Sequence, residues 1–144
     1  MEIDHITGMI IDEAMNIHKS LGPGLLESVY ETVLTKKLRC VGLDVCRQKM
    51  VPINFEGLHF EEAFRCDLIV EDRVVVELKS VETLHPVHKK QLMTYLRLMN
   101  LHVGLLINFG APMLKDGLTR IVTGYEPSDS SLLRINSLAT AQRK

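Results

Sequence analysis

From about Asp4 to Leu21, Ile6, Met9, Ile10, Met15 and Ile17 recur with Asp12, Glu13 and Asn16 between them, a spacing that predicts an amphipathic helix. Gly22-Pro23-Gly24 ends it. A second helix is expected from there to about Val41, with Leu26, Val29, Val33, Leu34 and Leu38 as its apolar stripe. Gly42 stands where a left-handed cap closes such a helix. The pattern then shifts to strands: Val45 to Phe55, broken at Pro52, and Leu58 to Val70 after a turn at Glu56-Gly57. Proline inside the first of these points to an edge strand or a bulge. Asp67-Leu68-Ile69-Val70, then Glu71-Asp72-Arg73, then Val74-Val75-Val76 reads as a hairpin.

Pro86 falls where a first helical turn belongs, and Leu92, Tyr95, Leu96 and Met99 carry that helix to about Met99. The near-continuous apolar run Val103 to Phe109 suits a strand covered on both faces, as in the parallel part of a sheet. Gly110-Ala111-Pro112 breaks the chain, and Leu118 to Val122 suits one last short strand. From Glu126 the composition turns polar, so residues 1–125 are expected to form the domain and residues 126–144 a flexible tail. The α-α-β-β-β-α-β order predicts an α/β class: a single domain with a mixed central β-sheet flanked by helices.

Composition narrows the reading. At 144 residues the chain suits one core. A formal net charge of −1 supplies no global basic field for nucleic acid, so any such contact needs a local patch or a metal ion. Cys40, Cys46 and Cys66 form no C-x-x-C pair, which argues against a zinc cage or a disulfide framework. The start Met1-Glu2-Ile3-Asp4-His5 has no secretion-signal character, and no apolar run is long enough to span a membrane. A cytoplasmic location is expected.

The chemistry concentrates in Val74-Val75-Val76-Glu77-Leu78-Lys79-Ser80. Strand side chains alternate, so Glu77 and Lys79 share one face of an otherwise apolar strand. Asp67, on the preceding strand, joins them under one condition. A two-residue loop would pair Asp67 with Val76 and point it away; a three-residue loop Glu71-Asp72-Arg73 pairs Val70 with Val74 and sets Asp67 opposite Glu77. Two adjacent carboxylates repel unless a cation lies between them, and Mg²⁺ (or Mn²⁺), which favours oxygen ligands and keeps several waters, is the economical occupant. Lys79 beside it would orient the attacking water.

Asp67 followed by Glu77-x-Lys79 resembles the signature of the PD-(D/E)XK nuclease superfamily, with Cys66 where the family has proline. Gly24-Leu25-Leu26-Glu27-Ser28-Val29-Tyr30 is similar to the motif of the GxxExxY proteins, a group assigned to that superfamily, and the similarity runs to about Val122. Gln91-Leu92-Met93-Thr94-Tyr95 resembles the extra motif of its RecB-like branch. The resemblance implies a restriction-endonuclease-like fold and a metal site of Asp67 and Glu77, with Glu27 and the Leu78 carbonyl assisting. It implies catalysis by Asp67, Glu77 and Lys79. It also implies substrate contacts from Gln91, Tyr95 and His88, which share one helical face, and from Tyr30. The residues themselves also allow Glu27 to serve the helix dipole, and Tyr30 and Tyr95 to be packed aromatics.

The expectation is therefore a Mg²⁺-dependent nuclease that hydrolyses phosphodiester bonds of nucleic acid. The alternative is a nuclease-fold binding or regulatory module without turnover. A domain of this size would be expected to use a homodimer to span a duplex.

Overall fold

The computed structural model describes residues 1–124; the tail expected from residue 126 lies outside the described residues. Helices α1 (Ile3–Leu21) and α2 (Glu27–Cys40) precede strands β1 (Val45–Phe55), β2 (Leu58–Val70) and β3 (Val74–Lys79). Helix α3 (Pro86–Met99), strand β4 (Val103–Asn108), a 3₁₀ turn (Leu114–Gly117) and strand β5 (Leu118–Val122) follow. The five strands form one sheet in the order β1-β2-β3-β4-β5. Only the β3–β4 pair is parallel, because α3 returns the chain across one face between them. The α/β architecture with a mixed sheet is as expected. No helix among the described residues is long and apolar enough to cross a membrane.

Alternation along the strands sorts the core into two layers. Leu68, Val70, Val74, Val76, Leu78, Leu105 and Ile107 pack with Ile6, Ile10 and Ile17 of α1 and Leu34 and Leu38 of α2. Ile69, Val75 and Leu106 pack on the other face against Leu92, Leu96 and Met99 of α3. The continuous apolar run of β4 is explained by burial on both sides, since all six residues are buried.

Helix α2 departs from the expected stripe. Its buried residues are Tyr30, Glu31, Leu34, Thr35 and Leu38, while Leu26 is 75% exposed and Val29 is exposed as well. The reason lies in the Gly22-Pro23-Gly24 turn, where Gly22 and Gly24 take φ of 72° and 102°. The Tyr30 hydroxyl donates to the Gly22 carbonyl (2.6 Å) and accepts from the Leu25 N–H (3.2 Å), and its ring stacks on Phe109 at 4.3 Å. Tyr30 thus pulls the turn onto the core and rotates Leu26 and Val29 outward. Fully buried and with its hydroxyl engaged, Tyr30 is a packing residue, not the substrate contact expected of it.

Pro52 sits on the edge strand beside a register shift between Val51 and Ile53, so both readings of that proline hold. A second irregularity matters more. Val45 packs on the α1/α2 side and Val51 on the α3 side, although six residues apart should share a face. The reversal falls at Gln48, which takes φ 50°. Opposite it on β2, Leu68 faces α1/α2 while Cys66 faces α3, so the reversal there falls at Asp67.

Candidate active site

The β2–β3 loop comprises Glu71, Asp72 and Arg73, and Val70 pairs with Val74. Glu71 and Asp72 both take φ 54°, and the Arg73 N–H donates to the Val70 carbonyl at 3.0 Å, closing a turn of the kind that suits hairpin twist. This is the three-residue register that brings Asp67 toward Glu77.

The β2–β3 ladder ends at Leu68↔Val76. Beyond it, side chains replace backbone partners: Glu77 Oε2 accepts the Asp67 N–H at 2.7 Å, and Asp67 Oδ2 accepts the Leu78 N–H at 2.8 Å. Because N–H and C=O of a strand residue open to the same side, the Leu78 carbonyl faces the Asp67 side too. Glu77 is only 6% exposed. Burial, then the negative charge of Asp67, pushes its carboxyl up to about 8. Burial likewise raises Asp67, with the charge of Glu31 adding to it, while the Leu78 N–H and Lys79 work against the rise. Lys79, half-buried at the strand end, lies on the Glu77 face as alternation requires.

The end of β3 is held by Asn108, whose position before Phe109-Gly110 marks a strand end. Its Oδ1 accepts the Val81 N–H and the Gly110 N–H, each at 3.0 Å, and its Nδ2 donates to the Val81 carbonyl at 2.9 Å. A Cβ on Gly110 would sit 2.2 Å from the Val81 carbonyl oxygen, so only glycine allows this approach. Ser80 Oγ donates to the Leu25 carbonyl at 2.5 Å, which ties the start of α2 to the same strand end.

Glu27 opens α2 as its first-turn acid, where the helix dipole favours it. Its charge raises the proton affinity of His88. Among the described residues no group of three or more His, Cys, Asp or Glu side chains could hold a metal ion. The structure shows Glu27 at the start of α2 and Asp67 and Glu77 interlocked at the β2–β3 seam. A helix acid whose charge bears on Asp67 is Glu31, one turn later and buried. Its Oε2 accepts from Arg47 at 2.9 Å and its Oε1 from Gln48, whose side chain works against the rise of Asp67. Neither Glu31 nor Gln48 was anticipated. Glu31 carried a signal, since with Leu34 and Leu38 it falls on one helical stripe; a non-glycine left-handed residue such as Gln48 carries none.

The α3 residues fall in three environments. Tyr95 stacks on Phe64 at 4.3 Å and, by burial and the Glu77 charge, is pushed up to about 12. Gln91 is exposed one turn earlier. His88 Nδ1 accepts the His85 N–H, and His85 Nδ1 accepts the Val87 N–H, each at 3.2 Å, so both histidines cap the helix. Burial and then the Lys79 charge lower His88.

An Asp67–Glu77 pair interlocked where two strands part, with Lys79 two residues on, carries the superfamily's arrangement in three dimensions. Residues 4–121 match the PD-(D/E)XK nuclease superfamily. The chain belongs to that superfamily. The crystal structure of SSO0001 is similar over 82% of this chain and 59% of that one, at 18% identity and a TM-score of 0.50. The chain thus spans less than two thirds of that relative, and the likeness is one of fold. No curated protein matches it.

The donor chemistry of the site fits a hard divalent ion. Two carboxylates share a buried seam where both are held above their usual range, and a carbonyl opens beside them. Mg²⁺ needs no larger protein set than this, because it retains waters for its remaining positions.

Proposed function

We propose that this chain is a Mg²⁺-dependent nuclease hydrolysing phosphodiester bonds of nucleic acid. The observation that carries the reading is the reciprocal Asp67–Glu77 interlock: two carboxylates are kept side by side in a buried seam at the cost of raised proton affinity. Packing alone gives no reason for that cost. Asp67 and Glu77, with the Leu78 carbonyl, would hold the ion. When bound, it would polarise a phosphoryl oxygen and lower the pKa of water.

The remaining work falls to the chain's own residues. Lys79 orients the attacking water and counters charge that develops on the phosphate. Tyr95, through its hydroxyl, and Gln91, through its amide, stand on α3 as donors for phosphate oxygens. His88 offers Nε2 for the same purpose, because Nδ1 is occupied as an acceptor. The test is a cleavage assay on DNA and RNA with Mg²⁺ or Mn²⁺, wild type against Asp67→Ala and Lys79→Ala. Loss of cleavage in both folded variants is expected; persistence in both refutes the assignment. Ion binding without cleavage of any nucleic acid would favour a module without turnover.

A further inference from the structure

A second concentration of chemistry lies on the outer side of the sheet's β1 end. Thr32, Thr35, Lys36, Arg39 and Cys40 of α2, with Arg47 of β1, line a groove of about 410 Å³. Three cations meet there against the one carboxylate of Glu31, which is bonded to Arg47 at 2.9 Å. Arg47 also donates to Thr32 Oγ1 at 3.1 Å, and Arg39 donates to the Val45 carbonyl at 2.7 Å, so both guanidinium groups are held in place with further N–H donors to spare. Lys36 is exposed and makes no ion pair among the described residues. Thr35 is the odd member. It is only 2% exposed, and its hydroxyl has no hydrogen-bond partner among the described residues. A buried polar atom left unpaired is costly, and this one belongs to a residue in the wall of a cationic groove, so an acceptor drawn into that wall would satisfy it.

We propose that this groove is a phosphate subsite that takes a backbone phosphate of the nucleic-acid strand flanking the one to be cut. Fixed guanidinium forks, an ammonium and hydroxyl donors match the several oxygens of a phosphate. The groove also leads toward the candidate catalytic pair: Arg47 bonds Glu31, Glu31 bonds Gln48, and Gln48 lies opposite Asp67 on the neighbouring strand. The groove and the seam between β2 and β3 thus share the Arg47–Glu31–Gln48 hydrogen bonds as their common support. This inference rests on the nuclease reading for its occupant.

The experiment measures binding of fluorescent single-stranded and duplex oligonucleotides by anisotropy in EDTA, with inorganic phosphate as competitor. Wild type is compared with Lys36→Gln and Thr35→Val. Lys36→Gln is expected to weaken binding several-fold at low salt and to reduce the slope of log K against log salt by about 1. Thr35→Val is expected to weaken binding by about 2- to 10-fold with the slope unchanged, since it removes an uncharged donor. Thermal melts of both variants at or above the wild-type midpoint exclude misfolding as the cause. Wild-type oligonucleotide affinity in both variants overturns the subsite, even where inorganic phosphate binds. In that case the nuclease reading stands if Asp67→Ala still abolishes cleavage. Weakened binding in both variants together with intact cleavage in Asp67→Ala keeps the subsite and removes the catalytic assignment.

Discussion

Glu77 Oε2 accepts the Asp67 backbone N–H at 2.7 Å, in the row where the β2–β3 ladder would otherwise continue through backbone alone. That contact makes the carboxylate pair and the strand pairing one structure. It also keeps Glu77 buried beside Asp67, and burial, then the Asp67 charge, pushes the Glu77 carboxyl up to about 8.

The pH dependence follows from that shift. Folding raises the Glu77 carboxyl from 4.5 to about 8, so the folded state binds the proton more tightly than the unfolded one. Stability of the metal-free protein is full below 4.5 and declines as pH rises through about 8. A divalent ion must displace this proton, so Mn²⁺ or Mg²⁺ affinity should climb over the same window, with about one proton released per ion at pH 7. Calorimetry in buffers of different ionisation enthalpy measures the release. Glu77→Gln should flatten the stability slope and abolish ion binding; an unchanged slope would show that another group carries the linkage.

Lys79→Ala should lower single-turnover cleavage by about 10²- to 10⁴-fold, the usual range for a lost proton-handling or charge-stabilising group. Ion affinity should stay within a few-fold of wild type, because Lys79 is no ligand. The two readouts together separate its role from those of Asp67 and Glu77.

The strand end that presents Lys79 depends on Asn108 and Gly110. Asn108→Ala removes three hydrogen bonds and leaves the Val81 amide unsatisfied, which should cost about 2–4 kcal/mol. Gly110→Ala forces a Cβ against the Val81 carbonyl, and backbone cannot yield as a side chain does. Urea denaturation should rank Gly110→Ala as at least as damaging as Asn108→Ala. Equal stability of wild type and Gly110→Ala would refute the close approach.

Much of this site was legible in the sequence. Hydrophobic period located the helices and strands, and the parity of the hairpin loop reduced the Asp67–Glu77 question to a choice between two registers, of which Val70↔Val74 is the observed one. Period alone did not reveal which way α2 rolls, because Leu26 and Val29 look as apolar as Leu34 and Leu38; the Tyr30 hydroxyl decided it through its bonds to Gly22 and Leu25. The face reversal at Gln48 and Asp67 was invisible for a different reason. It arises where two strands part, from tertiary bonds to Glu31 and Leu78 that leave no trace in local composition.

Tyr30→Phe isolates that decision. The ring still stacks on Phe109, while the bonds to Gly22 and Leu25 are lost. About 1–2 kcal/mol of stability should disappear, with substrate affinity unchanged. A drop in substrate affinity at full stability would return Tyr30 to the substrate side.

Glu27 and His88 offer a final check on the proposed ligand set. Glu27 raises the His88 proton affinity, whereas burial and Lys79 lower it, with a net lowering from 6.5. Removing the carboxylate in Glu27→Ala should therefore depress His88 further, which NMR titration of its ring protons reads directly. Protonation also takes away the Nδ1 lone pair that accepts the His85 N–H. A folded His88 below its unfolded value gives stability that is full above 6.5 and lost as pH falls through the folded value. This acid-side loss at the start of α3 should be absent in His88→Asn, whose side-chain oxygen still accepts. Ion affinity in Glu27→Ala should stay within a few-fold of wild type while Asp67→Asn abolishes it. Loss of ion binding in Glu27→Ala would bring Glu27 back among the ligands and require α2 to move toward the seam when the ion binds.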